Sequence, residues 1–195
     1  MKSIREIFDL RNRKALRIGI LVLSTLLVST ASALTYYSIT ASSTATTSAA
    51  TVKFISAADT PTGTVINAAG TFVTIPIKAY PNATLTYQYA LNVSNTDTSA
   101  HQVRLRSISI SGGQGAYSNS TSKIEFDLVN TAGTVQASVT YKGANGGGAW
   151  TTTGSPTAYF SIPASTKWTI QVITVCDASA STGVGSGIQL AVDVQ

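Results

Sequence analysis

The heptapeptide Lys123 to Val129, "KIEFDLV", sets Ile124, Phe126 and Leu128 on one side of the chain and Glu125 and Asp127 on the other. The stretch "GIQLAVDVQ" repeats the arrangement, with Ile188, Leu190, Val192 and Val194 opposing Gln189, Ala191, Asp193 and Gln195. A two-residue period is the spacing of a β-strand with one buried face and one wet face, and no helix can satisfy it. Nine segments read as strands: 51–56, 71–77, 84–93, 101–110, 123–129, 134–142, 157–162, 167–175 and 187–195. Beyond Ala33 no stretch holds a helical period over three turns, and no internal repeat is evident. "VNTAGTV" joins two strands through a short Gly-containing turn, a hairpin signal. "SGGQGAYSNSTS" (111–122) and "KGANGGGAWTTTGSP" (142–156) read as loops too rich in glycine for strand or helix. The expected fold is all-β, a single β-sandwich or jelly-roll-like domain covering residues 52–195.

The first 33 residues are of another kind. Lys2, Arg5, Arg11, Arg13, Lys14 and Arg17 precede "IGILVLSTLLVSTASA", which ends in Ala31-Ser32-Ala33. A basic start, a short apolar centre and a small-x-small ending make a secretory signal peptide over residues 1–33, cleaved after Ala33. A membrane-spanning helix needs about 20 apolar residues, and this run is shorter and threaded with Ser and Thr. Two alternatives stay open. The apolar segment is retained as an uncleaved anchor, or it is kept as the filament helix of a type IV pilin, whose leader would be cut near Lys14-Ala15-Leu16. Contact with the membrane is expected only in transit.

Without the leader the basic excess disappears. Seven basic residues (Lys53, Lys78, Arg104, Arg106, Lys123, Lys142, Lys167) face six acidic ones (Asp59, Asp97, Glu125, Asp127, Asp177, Asp193). The sequence pI of 9.4 therefore belongs to the leader, and nucleic acid is not an expected partner. Ser and Thr carry the surface polarity in place of charge, which gives little electrostatic resistance to self-association. Cys176 is the only cysteine. It excludes an intramolecular disulfide, and after "IQVITV" it reads as a small buried hydrophobe.

Chemistry has little to stand on, and no enzyme, cofactor, catalytic residue or metal ligand is expected. His101, the one histidine, has Asp97 and Ser99 nearby but no nucleophile elbow. Glu125 and Asp127 share a strand face and read as solvated. Asp59, Asp177 and Asp193 are isolated in sequence, and a calcium site would require them to meet in space. Three sequons begin at Asn82, Asn92 and Asn119, about what chance provides in so hydroxyl-rich a chain. Asn82 and Asn119 read as exposed turn positions open to glycosylation, and Asn92 as a less favourable strand position. Tyr117, Tyr141 and Trp150 beside the Gly-rich loops offer a sugar-stacking platform, hence the alternative of a glycan-binding or adhesin module. Trp168 and Tyr159 read as core.

Between leader and body lies "LTYYSITASSTATTSAAT", residues 34–51: a β-prone aromatic tag and then a small-residue tether. The tag would be a strand of its own domain, a frayed tail, or a donor strand added to a neighbouring copy. In the last case Leu34, Tyr36, Tyr37 and Ile39 are the donated residues. Fully extended, Leu34 to Ala50 reaches roughly 55 Å at about 3.3 Å per residue, enough to cross a neighbour. A contact in which each copy gives one strand and receives another is head-to-tail and does not close.

Leader, tag and "PNATLTYQYALNVSNTDTSAHQVRLRSISI" together resemble the TasA/camelysin class of secreted biofilm fibre proteins, and more nearly the archaeal bundling-pilus subunits similar to it. The pattern is carried by Pro81-Asn82, by Ala90 to Asn95, and by Val103-Arg104-Leu105. The closing "WTIQVITVCDASASTGVGSGIQLAVDVQ" is also similar to the family's last strands. The Trp-Ala-x-Phe signature of bacterial members is absent, with Tyr36-Tyr37 in its place. The resemblance implies a jelly-roll-like pilin polymerised by donor-strand complementation into an extracellular filament at the cell surface. Its partners would be copies of itself and the filaments of neighbouring cells, in bundles or biofilm. The last strand, with Ile188, Leu190, Val192 and Val194, is the expected wall of the acceptor groove because it runs uncapped to the C-terminus.

Overall fold

The computed structural model describes residues 49–78, 80–119, 121–144, 148–180 and 185–195. The expected leader with its cleavage residue Ala33, and the expected donor residues Leu34, Tyr36, Tyr37 and Ile39, lie outside the described residues. Among the described residues eleven strands form two antiparallel sheets, one of them curled into a half-barrel, stacked as a β-sandwich. The strands are β1 (Val52–Ser56), β2 (Val65–Ile66), β3 (Phe72–Lys78), β4 (Thr84–Asn95), β5 (His101–Ser111), β6 (Lys123–Val129), β7 (Val135–Ala144), β8 (Gly148–Thr153), β9 (Phe160–Ile162), β10 (Lys167–Val175) and β11 (Gly185–Val194). One sheet has the order β1-β4-β10-β6-β7-β8 and the other β2-β3-β11-β5-β9.

The two-residue period becomes burial. Ile124, Phe126 and Leu128 of β6, Trp168, Ile170 and Val172 of β10, and Ile188, Leu190 and Val192 of β11 all point into the core. Val73, Ile75 and Ile77 of β3 do the same from the second sheet. One aromatic pair ties the layers together and another packs within a sheet. Phe160 of β9 stacks on Trp168 of β10, ring centres 5.5 Å apart, and so bridges the two sheets. Phe126 meets Tyr141 edge-on at 5.9 Å, the geometry that ring quadrupoles favour. Cys176 is buried beside this core, as its apolar neighbourhood requires.

Several expectations need correction. The glycine-dense stretch after Lys142 is not all loop: β7 runs on to Ala144, and Gly148–Thr153 pairs with it as β8. Glycine serves close approach there, since a Cβ on Gly143 would fall 2.2 Å from the Gln114 carbonyl oxygen. That carbonyl belongs to a short 3-10 turn, Gln114–Tyr117, inside the other glycine-rich segment. β2, two residues long, adds a strand where "VI" among turn residues shows no period. Tyr159, expected in the core, is 41% exposed and lies under the Arg104 guanidinium, 4.9 Å from its centre. Asp127, expected in solvent, is buried and accepts the Ser138 hydroxyl, and burial raises its pKa. Glu125 beside it is half-covered by Lys123 and by Thr140, whose hydroxyl lies 3.3 Å away.

The most informative irregularity is in β4. Its register against β10 shifts between Ile170 and Val172, where Leu91 and then Tyr87 are the partners. Gln88, Tyr89 and Ala90 there face the single residue Gln171 of β10, a bulge that keeps Leu85, Tyr87, Leu91 and Val93 on one face but turns Tyr89 out of it. Tyr87 is half-buried, Tyr89 is 55% exposed, and Leu91 is again buried.

Phe126→Ala removes a fully buried ring and is expected to cost about 3–5 kcal/mol in urea-denaturation stability. Ile108→Ala, at a 42% exposed position, is expected to change stability by less than about 0.5 kcal/mol. Similar losses at the two sites would contradict this placement of the core.

Candidate functional site

An unequal pairing leaves part of one sheet edge uncovered. β1 pairs with β4 only from Asn95 back to Leu91, where it ends at Ser56. The chain then folds over the next two β4 positions. Asp59 N–H donates to Tyr89 O (2.9 Å), Tyr89 N–H donates to Asp59 Oδ2 (3.1 Å), and the Thr60 hydroxyl donates to Ala90 O (2.8 Å). From Gln88 back to Thr84, β4 has β10 on one flank and, among the described residues, no strand on the other. Cys176 N–H donates to Ala83 O, so by antiparallel alternation Thr84 and Thr86 turn their N–H and C=O groups to the open flank.

The facing edge of the other sheet is also thinly covered. β2 pairs with Val73 and Thr74, and among the described residues no strand lies beyond Ile75 to Lys78. Pro76 sits in that stretch and removes a backbone donor, a common way of blunting an edge. Between the two edges runs a groove of about 490 Å³, lined by Asp59, Pro61, Pro76, Lys78, Tyr80 and Tyr87 among others. The β4 side carries no proline and no charge from Thr84 to Gln88. It is the less protected edge of the two.

The last strand does not offer this edge. β11 lies inside its sheet, hydrogen-bonded to β3 through Ala191 and to β5 through Val194. Ile188, Leu190 and Val192 are core residues, and Val194 is 42% exposed. An uncapped C-terminus in sequence is therefore not an unpaired edge in space.

The remaining residues singled out in the sequence disperse. His101 Nε2 lies 2.8 Å from Asp97 Oδ2 and 3.5 Å from Thr51 Oγ1, with Ser99 contributing only its carbonyl, to Asn95. The hydrogen bond from His101 holds the Asp97 carboxyl below its usual range. Asp59, Asp177 and Asp193 have separate partners, and no three His, Cys, Asp or Glu side chains converge among the described residues. Asp193 takes a two-pronged contact from Arg106 (2.8 Å twice) and a third bond from Arg104 (3.0 Å), which lower its pKa. The sugar platform does not form. Tyr117 and Tyr141 are fully buried, and Trp150 leans on Tyr117 at 5.7 Å while donating to Gly112 O. Among the described residues no helix is long and apolar enough to cross a membrane.

Asp177 is a latch. Its carboxylate is buried, yet it receives the Ser122 hydroxyl (2.6 Å), the Ser118 hydroxyl (3.0 Å) and the N–H groups of Asn119 (3.0 Å) and Ser118 (3.1 Å). Burial pushes its pKa up, but the four donors outweigh it and hold the carboxyl below its usual value. The loop before β6 is thereby clamped to the end of β10. Two sequon asparagines border the same cleft, Asn82 and Asn119, and both are exposed. Asn82 occupies a left-handed turn (φ 52°). Asn92 lies half-buried in the sheet and accepts the Thr169 hydroxyl at 3.2 Å.

No protein-family model matches the chain, and a search of curated proteins finds no match.

A carboxyl whose pKa is lowered by folding contributes stability fully above its unfolded value, and loses it as pH falls through the folded one. Stability is expected to decline from about pH 4 downward, near the ordinary carboxylate value of 3.8. Asp177→Asn is expected to cost about 1–3 kcal/mol at pH 7 and to flatten that acid limb. Urea unfolding at stepped pH checks both, and an unchanged slope in the variant would remove Asp177 from the account.

Proposed function

We propose that the chain is a structural subunit of an extracellular filament. Each copy donates its N-terminal segment, Leu34 to Ile39, as a strand to the next, and the filaments serve cell–cell bundling or biofilm. The observation that carries the proposal is the open flank of β4 from Gln88 to Thr84, beside a groove between the two sheets. Unpaired N–H and C=O groups in a row are a template for an added strand, which gains backbone hydrogen bonds while its alternate side chains fill the groove. The uncovered β4 segment and the tag are of matching length, five residues and six.

The chemistry of the tag fits the slot. Leu, Tyr and Ile supply apolar surface to cover Tyr87 and Pro76, and Thr and Tyr favour the extended backbone. Scarcity of surface charge removes a barrier to close packing of copies. Export through a cleaved leader places assembly outside the cell. Bundling and biofilm rest on the resemblance to archaeal bundling-pilus subunits, and the partners are copies of the same chain.

A second reading has one observation in its favour. A depression of about 500 Å³ on the outer face of the six-stranded sheet holds Tyr89, 55% exposed, beside Gln88, Asn130 and Gln171. A ring next to amides is the composition of a saccharide site, so a glycan-binding module would use Tyr89 rather than Trp150 or Tyr141.

Electron microscopy of protein beginning at Leu34, beside protein beginning at Val52, separates these readings. Filaments are expected from the first and none from the second. Equally stable monomers from both, with polysaccharide binding lost in Tyr89→Ala, would favour the glycan module instead.

A further inference from the structure

The depression on the outer face of the six-stranded sheet is lined by groups whose orientation is fixed. Tyr89 sits at the β4 bulge, and both of its backbone groups are held. Its N–H donates to Asp59 Oδ2 (3.1 Å) and its carbonyl accepts from Asp59 N–H (2.9 Å). A bulge re-aims a side chain, and here it turns a ring that is 55% exposed outward from a clamped backbone. The neighbouring amides are oriented too. Gln171 Nε2 donates to Gln88 Oε1 (2.9 Å), which leaves the Gln171 carbonyl to accept and the Gln88 amino group to donate. Asn130 accepts the N–H groups of Ala132 and Thr134 (2.9 Å each) through its carbonyl, leaving its amino group to donate. A ring beside fixed donors and acceptors suits the apolar face and the hydroxyls of a sugar.

Charge narrows the ligand class. Apart from the Tyr89 phenol, Lys167 is the one ionisable side chain among the described residues lining this space of about 500 Å³. It is exposed and forms no ion pair among the described residues. Lys53 stands in the same row. Lys53 of β1 and Lys167 of β10 pair with Ser94 of β4 from its two flanks. Their strand neighbours Val52, Phe54, Val93 and Trp168 are core residues, so both lysines belong to the outer face. Lys53 has no acidic partner among the described residues either. The carboxyls of this face are already engaged, Glu125 by Lys123 and buried Asp127 by Ser138. The face therefore has a positive end next to its exposed ring. From Gln171 to Lys167 the β10 backbone covers roughly 13 Å at about 3.3 Å per residue, a span for a short oligosaccharide.

Resting on the saccharide reading of this depression given above, we propose that it binds a short oligosaccharide bearing an anionic group. One sugar ring stacks on Tyr89, its hydroxyls bond to Gln171 and Asn130, and an acidic group further along the ligand pairs with the Lys167 ammonium. The site uses the face of the sheet and not the unpaired edge of β4, so it makes no demand on strand addition.

Calorimetric titration of the full-length chain in mild detergent tests this with four probes. They are trigalacturonate, its carboxyl-reduced neutral form, that neutral trisaccharide carrying sulfate esters, and polyglutamate, an anion without sugar rings. At low salt an anionic trisaccharide is expected to bind about tenfold more tightly than the neutral one, and the gain is expected to shrink at physiological salt. Whether the carboxylate or the sulfate form gains more identifies the acid. Lys167→Gln is expected to abolish the gain and leave neutral binding unchanged. Tyr89→Ala is expected to weaken every trisaccharide by about fivefold to tenfold, and Tyr89→Phe to preserve binding. Both side chains lie outside the core, so urea midpoints near the parent's would show that the variants fold. Equal binding of anionic and neutral trisaccharides would overturn the proposal while the saccharide reading survives. Polyglutamate binding as tightly as trigalacturonate would overturn it as well, leaving only attraction to charge. An absence of binding by all three trisaccharides would overturn the saccharide reading itself.

Discussion

β4 is twelve residues long and β1 is five, and the rest of the molecule is arranged around that mismatch. A sandwich is stable when inner faces are buried and backbone groups are paired. β4 meets both demands on its β10 flank and over its second half. Over its first half the apolar face is half-covered, and among the described residues one row of backbone groups has no strand beside it. The bulge opposite Gln171 marks the border between these regimes, since Tyr89 is turned to the surface there. Asp59 and Thr60 seal the border with three hydrogen bonds. What remains is a slot about one short strand in length.

The rest of the fold is closed as firmly as this slot is open. Phe160 on Trp168 fastens the sheets across the layer, and Asp177 gathers four donors to fix the loop before β6. Arg104 and Arg106 converge on Asp193 across β5 and β11. Such half-exposed pairs add little stability, about 1 kcal/mol or less each, but they cover a sheet face that has few other charges. The acidic side chains of this domain are engaged in holding loops and strands, and none is grouped for proton transfer or metal binding among the described residues.

Much of the architecture was legible in side-chain periodicity. Strands β6 and β10 match the reading of the sequence residue for residue, because strict alternation over seven or nine residues has a single geometric solution. Glycine misled. "GANGGGAW" looked like a loop because glycine lacks strand propensity, but at Gly143 it is required by the neighbouring Gln114 carbonyl, a contact between residues nearly thirty apart. The same limit applied to aromatics. Tyr141 beside a glycine run looked like a surface ring and is core, whereas Tyr159 looked like core and is a surface ring under Arg104.

The sequence alone determined the class of fold, the directions of most strand faces and the burial of Cys176, since these follow from the local alternation of apolar and polar side chains. It also carried the leader pattern and the β-prone tag, which depend on composition over short windows. The tertiary structure decided which strand lies at an edge. Edge or centre is a property of strand order, set by contacts between segments far apart in the chain, and no local pattern in "GIQLAVDVQ" records that β3 and β5 flank it. For the same reason the open flank of β4 was invisible: Thr84 to Gln88 reads like any other strand until β1 is seen to stop short of it.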